Sequence, residues 1–380
     1  MSIIRRQAAA LRPPAWRGLV SACWPVLVAV VVGLVCYLAI GPLLGSFASK
    51  IMLIIGINVI LAVSLTIVNG FTGQFSMGHA AFMAIGGYVA AAIVLYGSMR
   101  LFGTGEFQGG ALSLTQGAES RGLIGRGDVL FLVATIAGGL FAAGAGYVVG
   151  LPSLRLRGDY LAIVTLGFGE IVRVLLQGTG DQLQPWKVAE VQSTPAWELA
   201  LRLGGPQGFN LLPTYTTLFW VWMWVTITLL AAYRLKTSSS GRAFLSIRED
   251  EIASQAMGVD VTRYKVRAFV IASFFAGVAG AMYAMDIGAM NPLDGGFQRS
   301  FDIIIMVVLG GMGSVSGAVL AAVVLSILPE ALRGLAQYRL IIYALLLVLM
   351  MIVRPQGLFG LREAWELGVL RRLLRGEDKS

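Results

Sequence analysis

Apolar runs long enough to cross a lipid bilayer alternate with short polar segments along almost the whole chain. Helices of about 20 apolar residues span the hydrocarbon core of a membrane. The pattern therefore predicts one transmembrane domain over residues 1–380, an all-α polytopic membrane protein with about eight to ten transmembrane helices. The predicted spans lie at about 20–41, 50–68, 79–96, 129–150, 161–177, 215–233, 268–288 and 338–353.

Two of the apolar regions are interrupted by glycine-rich polar segments, at 69–78 and within the run 303–329. Non-helical backbone at membrane depth persists only where protein or water satisfies its polar groups. We therefore expect broken or re-entrant segments that line a translocation path, although tight helix packing also explains glycine in membranes. The candidate path residues are Asn69, Gly70, Thr72, Gly73, Gln74, Ser76, Gly78, His79, Gly310, Gly311, Gly313 and Ser314.

Composition supports the membrane assignment, and charge suggests an orientation. Hydrophobic residues make up 57% of the chain and charged residues only 13%, against about 25% charged in soluble domains. The net charge of +9 comes mostly from Lys and Arg at the ends of apolar runs, where cytoplasmic loops collect them. This distribution favours a membrane protein over a nucleic-acid-binding one, with a cytoplasmic N-terminal segment (1–19) and a cytoplasmic tail (354–380).

Residues 234–267, called the charged loop below, form the most polar stretch in the middle of the chain. Seven Lys or Arg and four acids lie here, which predicts a cytoplasmic location. Apolar residues at helical spacing indicate one or two short helices; a helix over about 241–257 would be capped by Ser240 and ended by Gly258, and Asp260 would cap the next. The expected apolar seam consists of Phe244, Ile247, Ile252, Ala256 and Met257.

Other polar residues within the apolar runs predict structural roles rather than chemistry. Glu170 and Arg173 share a helical face and are expected to form an ion pair turned towards protein or water. His79, the single histidine in the sequence, is interpreted as a packing residue. An intramembrane serine protease or a proton-coupled carrier would need more such groups. No catalytic residue or metal site is predicted, and the polar stretches 97–127 and 178–214 are interpreted as external connections.

Five blocks of the sequence resemble the branched-chain amino-acid ABC transporter permeases, LivM type. The similarity covers about residues 50 to 360 and keeps the order of the family's blocks. The blocks are NGFTGQFSMGHAAFMAIGGYVAA (69–91), LRLRGDYLAIVTLGFGEIVR (154–173), GRAFLSIREDEIASQAMGVDVTRYKVRAFVIASFFAGVAGAMYA (241–284), MVVLGGMGSVSGAVLAA (306–322) and RPQGLFG (354–360).

The resemblance implies a non-enzymatic permease subunit of an ATP-driven importer in a bacterial inner membrane. Its implied partners are a second, LivH-like permease, two cytoplasmic ATP-binding subunits, a periplasmic substrate-binding protein and the lipid bilayer. The chain has no GxxxxGK[ST] phosphate loop, so ATP and Mg²⁺ are expected on partner subunits and no cofactor on this chain. A urea or short-chain amide permease is the alternative. The implied ATPase-coupling residues are Gly241, Arg242, Arg248, Glu249, Asp250, Glu251, Ala253 and Gly258.

Overall fold

A computed structural model describes residues 15–43, 45–113, 124–153 and 159–335, with five separate positions between 338 and 352. Short 3₁₀ or π turns extend or connect several of the helices. The α-helices of four residues or more in these ranges are α1 (Ala15–Val35), α2 (Ser46–Leu65), α3 (His79–Phe102), α4 (Arg126–Ser153), α5 (Asp159–Gln177), α6 (Val188–Ser193), α7 (Ala196–Leu199), α8 (Leu218–Thr237), α9 (Ser239–Glu249), α10 (Glu251–Ala256), α11 (Val261–Ile287), α12 (Phe297–Gly310) and α13 (Val315–Ala331).

Six of the described helices, namely α2 with its terminal turn, α3, α4, α5, α8 and α11, are long and apolar enough to cross a membrane. Two shorter apolar helical stretches are Trp24–Ala39 and Val315–Ala331. Within the described ranges, β-structure is limited to one isolated bridge between Phe209 and Met290. The chain is thus an all-α, multi-pass membrane protein, as predicted.

Parts of several sequence predictions fall outside the described residues. These are the first 14 residues of the N-terminal segment, residues 114–123 of the first polar stretch, the last span apart from scattered positions, and the tail. The total of eight to ten spans therefore stays a prediction.

Helices α3, α4 and α11 pack closely around glycines that leave no room for a side chain. A Cβ atom built on Gly86 of α3 would lie 2.3 Å from Cα of Gly277 on α11. One on Gly280 would lie 1.8 Å from the carbonyl oxygen of Met83, and one on Gly138 of α4 would lie 2.5 Å from that of Gly86. The three helices can approach this closely because small residues leave space for the neighbouring backbone.

The helix bundle has two ends, and the charged loop lies at one of them. Lys50, in the first turn of α2, donates to the carboxylate of Asp286 near the end of α11, with 2.7 Å between Nζ and Oδ1. The start of α2 thus lies beside the end of α11, so these two helices run antiparallel. Since α11 begins at the charged loop, this contact lies at the other end of the bundle from that loop. We call the side that carries α9 and α10 the charged-loop end, and the other side the opposite end.

The opposite end is built from the polar connections, which are ordered where the structure describes them. The Tyr96 hydroxyl on α3 donates to the carbonyl of Arg202 at 2.6 Å, and Arg100 donates to the carbonyls of Val191 and Thr194. Residues 178–214 thus fold over the end of α3 and include α6 and α7.

Hydrogen bonds also connect the described part of the stretch 97–127 to the helices beside it. Gly110 N and Gly125 N both donate to Oδ2 of Asp128 at 2.8 Å, and Gln108 N donates to the Tyr215 hydroxyl at 3.0 Å. Burial raises the pKa of Tyr215, since desolvation disfavours the phenolate. Glycine N–H groups in this stretch thus surround a buried carboxylate.

Candidate functional site

The first glycine-rich segment interrupts the membrane-spanning region as expected. Helix α2 continues through a π turn, Thr66–Phe71, and α3 begins at His79, so the irregular backbone is confined to 72–78. The turn is closed by Thr72, whose hydroxyl donates to the Val68 carbonyl at 2.7 Å. Asn69 Oδ1 accepts from Ser76 N at 3.2 Å. Protein groups thus satisfy much of this backbone, as membrane depth requires.

Three polar side-chain atoms of the same segment are buried and have no partner among the described residues. They are Asn69 Nδ2, Gln74 Nε2 and Ser76 Oγ. Buried polar groups are nearly always hydrogen-bonded, so a cluster of exceptions within eight residues requires an explanation. The three atoms lie in the segment that the sequence predicts to line a path, and that role stays a prediction.

His79 and Gly78 connect the first glycine-rich segment to the helices around it. His79 Nε2 lies 2.8 Å from Ser64 Oγ, and its ring meets Phe82 edge-on at 6.5 Å between centroids. A Cβ atom on Gly78 would lie 2.2 Å from the carbonyl oxygen of Thr165 on α5, and Thr165 Oγ1 accepts from Met77 N at 2.9 Å. These are the contacts of a tightly packed junction.

The second glycine-rich segment separates α12, of 14 residues, from α13, of 17 residues. Gly311 and Gly313 both have φ of 102°, a backbone conformation that side-chain-bearing residues rarely adopt. Ser314 caps α13 by accepting from Gly317 N at 3.1 Å. Gly310 also needs to be glycine, because its Cβ atom would lie 2.5 Å from the backbone of Gly317. The two short helices therefore flank the glycine-rich segment, and a re-entrant path for them through the membrane stays a prediction.

The two breaks touch each other at the charged-loop end. A Cβ atom on Gly70 would lie 2.7 Å from the backbone nitrogen of Gly313, although 243 positions separate the two in sequence. We call the region formed by residues 70–78 and 311–314 the double break. The contact between Gly70 and Gly313 brings the two sets of predicted path residues together.

Two cations, one in the last turn of α8 and one in α9, donate to backbone carbonyls of the double break. Arg248 Nη1 lies 3.0 Å from Gly70 O, and Lys236 Nζ lies 2.9 Å from Gly313 O. The Lys236 ammonium also stands over the ring of Phe71, 5.8 Å from its centroid. The resemblance implied only an ATPase-coupling role for Arg248, and Lys236 was not singled out, because neither carbonyl contact has a local sequence signal.

The charged loop contains two helices, so the prediction of one helix over 241–257 capped by Ser240 is wrong. Ser238, whose backbone is extended, caps α9 by accepting from Gly241 N at 3.1 Å. Asp250 ends α9 and caps α10, since Oδ1 accepts from Ile252 N at 2.8 Å and from Ala253 N at 3.0 Å. The side chain of Asp competes with helix continuation in this way. Gly258 has φ of 84° after α10, and Asp260 caps α11, both as expected.

The expected apolar seam of the charged loop divides into two parts. Phe244 and Ile247 of α9 are buried, whereas Ile252 and Met257 are 66% and 85% exposed. Ala256 is exposed too. The turn at Asp250 redirects the chain, so α10 cannot continue the buried stripe of α9.

The predicted coupling residues are likewise distributed over two surfaces. Arg248 and Glu251 contact the membrane domain, because Glu251 forms an ion pair with the buried Lys265 of α11. The backbone of Gly241 lies against the last turn of α8, where its Cβ atom would be 2.2 Å from Leu235 O. The outward surface is formed by Arg242, Glu249, Asp250, Ala253 and Gly258.

Glu170 and Arg173 form the expected contact on α5, with 2.7 Å between Oε2 and Nε. Both side chains are partly exposed, at 36% and 27%. The Phe297 N–H group, at the start of α12, lies 3.4 Å from Glu170 Oε1. The pair therefore connects α5 to the start of α12.

A polar cluster deep in the described bundle was missed by the sequence reasoning. Arg299 Nη2 donates to Asn58 Oδ1 at 3.0 Å, and Asn58 Nδ2 donates to Ser326 Oγ at 2.8 Å. The guanidinium also lies 5.6 Å from the ring centroid of Tyr283. Asn58 within a long uncharged run was the one signal that could have indicated this cluster.

Comparison with known proteins places this architecture in a family. The family described as "Branched-chain amino acid transport system / permease component" matches residues 47–354. The chain belongs to this permease family. The matched region begins at the start of α2 and includes the double break, the charged loop and the Glu170–Arg173 pair.

Individual relatives give the same result. The permease protein LivM of the high-affinity branched-chain amino acid transport system from Salmonella typhimurium (strain LT2) is 36% identical over 316 residues, covering 80% of this chain and 67% of the relative. LivM of Escherichia coli K12 is 35% identical with the same coverage. The E. coli K12 permease LivH is 25% identical over 310 residues, covering 79% of this chain and 90% of the relative. No solved structure matches the chain significantly.

Proposed function

We propose that this permease is the LivM-like membrane-spanning subunit of an ATP-driven importer for branched-chain amino acids or related small polar solutes. The observation that carries the proposal is the similarity to LivM over 80% of the chain. The names of the relatives specify branched-chain amino acids. The alternative of a urea or short-chain amide permease receives no support from them.

The proposed assembly contains a second, LivH-like permease, two cytoplasmic ATP-binding subunits and a periplasmic binding protein that delivers the solute. Similarity to both LivM and LivH supports a pair of related permeases around one path. ATP and Mg²⁺ belong to the ATP-binding subunits in this proposal, and this chain holds no cofactor and no nucleic acid. The assembly lies in a bacterial inner membrane with both termini of this chain in the cytoplasm, consistent with the positively charged loop.

The outward surface of α10 is the proposed contact with an ATP-binding subunit. Large apolar side chains that are exposed on an otherwise polar surface mark interaction sites, and Ile252 and Met257 fit this description. The Glu251–Lys265 ion pair attaches α10 to α11. A displacement of α10 would therefore reach a membrane-spanning helix directly.

Reconstitution of the assembly into proteoliposomes tests the function. The permease is combined with its LivH-like partner and the ATP-binding subunits, with the binding protein on the opposite-end side. We expect uptake of labelled leucine that requires both ATP and the binding protein. Uptake of urea but not leucine would contradict the substrate, and leucine uptake without ATP would contradict the energy source.

A further inference from the structure

The two helix breaks at the charged-loop end are held together by side chains from outside them. Arg248 donates to Gly70 O at 3.0 Å and Lys236 donates to Gly313 O at 2.9 Å. Gly70 and Gly313 also touch, since a Cβ atom on Gly70 would meet the Gly313 nitrogen at 2.7 Å. Each of the two cations thus binds one partner of this backbone contact.

Arg248 is fixed on both sides of its guanidinium. Its side-chain stem lies over Gly73, where a Cβ atom would be 2.8 Å from Arg248 Cγ. Glu249 Oε1 accepts from Arg248 Nη2 at 2.8 Å. Charge-assisted hydrogen bonds are among the strongest in proteins, so the contact between α9 and Gly70 is well defined.

Lys236 is connected to α9, the helix that carries Arg248, through the chain and through close packing. It lies one residue before the end of α8, and Ser238 joins α8 directly to α9. The close contact of Gly241 with the last turn of α8, where a Cβ atom would lie 2.4 Å from Lys236 O, leaves no space between the two helices. A displacement of α9 therefore moves both cations together.

We propose that Arg248 and Lys236 are positioning residues that hold the double break shut as the inner closure of the translocation path. Movement of α9 by the ATP-binding subunits withdraws both cations, and the freed Gly70 and Gly313 carbonyls become hydrated as the breaks separate. Because both contacting residues are glycine, the two backbones can touch directly in the closed arrangement. In the open arrangement, water lies between them. This inference rests on the proposed function and adds the element on which coupling acts.

Thiol accessibility tests the closure without requiring transport. Cys23 and Cys36, the two native cysteines, are replaced by Ser, and Ser76→Cys places a reporter in the first break. A membrane-impermeant maleimide is applied to the full assembly from the charged-loop side, without ATP. We expect Arg248→Gln and Lys236→Met to raise the labelling rate by about tenfold or more, the change expected from losing one charge-assisted hydrogen bond.

Conservative and control variants separate positioning from general damage. Arg248→Lys retains a cationic donor and should restore slow labelling in part. Arg263→Gln removes an exposed cation of α11 that has no carbonyl contact among the described residues, and should label like the parent. Gln74→Cys serves as a second reporter where Ser76→Cys prevents folding. An unchanged labelling rate for both Arg248→Gln and Lys236→Met in a folded assembly overturns the proposal.

Coupling gives a second readout that a purely structural role would not move. In proteoliposomes, Arg248→Gln should lower the amount of solute imported per ATP hydrolysed by about tenfold, the factor that the loss of one charge-assisted hydrogen bond gives. Equal coupling in the variant and the parent contradicts the proposal. If the parent assembly imports no solute, the proposed function fails, whereas the labelling result still decides whether the two cations close the double break.

Discussion

At the residue scale, the Lys50–Asp286 pair stabilises the contact between α2 and α11 asymmetrically. The Asp286 side chain is 3% exposed and that of Lys50 is 46% exposed. Lys50→Met should lower the free energy of unfolding by about 2 kcal/mol, less than the 3–5 kcal/mol of a fully buried pair, because a buried carboxylate loses its partner. Unfolding curves in detergent measure the change.

The reciprocal variant is the control for this prediction. Asp286→Asn leaves Lys50 in contact with water and with the Asp286 carbonyl, to which it also donates at 2.9 Å. We expect a loss of about 1 kcal/mol, the usual net value of a hydrogen bond. A larger loss for Asp286→Asn than for Lys50→Met would contradict the asymmetry.

Single residues show where sequence reasoning reaches its limit. Gly258 and Asp260 were assigned correct roles in the charged loop because helix caps depend on neighbours a few positions away. Arg248 was assigned an ATPase-coupling role, yet its guanidinium reaches Gly70, which is 178 positions distant. Contacts of that kind depend on how helices pack, and a single sequence carries no local pattern for them.

At the element scale, the backbone contact between α3 and α11 depends on glycine at particular positions. Gly280→Ala should lower the free energy of unfolding by about 1–3 kcal/mol, the cost of overpacking, because its Cβ atom would overlap the Met83 carbonyl. Gly144→Ala is the matched control, since nothing lies within 4 Å of its Cβ position on α4. Thermal unfolding in detergent should separate the two variants, and equal midpoints would contradict the packing argument.

The outward surface of α10 gives a second prediction at this scale. Ile252→Glu combined with Met257→Glu places charge on two exposed apolar positions and should weaken binding of the ATP-binding subunits by about tenfold or more, the loss expected for residues central to an interface. Thr262→Glu, at another exposed position near the same end, is the control. Pull-down and ATPase assays measure the effect.

The outcome that would contradict the α10 prediction is normal binding by the double variant. The fold of the membrane domain should be unaffected, because neither side chain is buried. The Ser76→Cys reporter in the isolated chain should be labelled at the same rate with and without the double variant, which would verify that the fold is unaffected. The test thereby separates docking on α10 from the closure held by α9.

Helix positions were largely predictable, whereas the internal division of the charged loop was not. Long apolar runs predicted α2, α3, α4, α5, α8 and α11, because a membrane-spanning helix must be about 20 residues long and satisfy its own backbone. The break at Asp250 was missed since the apolar spacing of Ile252 and Met257 suits a continuous helix. Capping by the Asp250 carboxylate overrode that periodicity.

At the scale of the whole molecule, the two ends of the bundle differ in charge and in construction. The charged loop has seven cations and four acids, whereas residues 178–217 have two cations, Lys187 and Arg202, and three acids, Asp181, Glu190 and Glu198. Loops rich in Lys and Arg remain in the cytoplasm. The bundle should therefore insert with the double break near the cytoplasm and the ordered cover of α3 outside.

Site-directed labelling checks this orientation. In a background with Cys23 and Cys36 replaced by Ser, Met257→Cys and Trp197→Cys introduce thiols at positions that are 85% and 69% exposed in the parent. An impermeant maleimide outside intact spheroplasts should label only Trp197→Cys, and inside-out vesicles should reverse the result. Labelling of both from one side would contradict the antiparallel arrangement of the helices, because α9 and α10 would then share a side with α7. An exchanged pattern would leave the fold intact and overturn only the orientation inferred from charge.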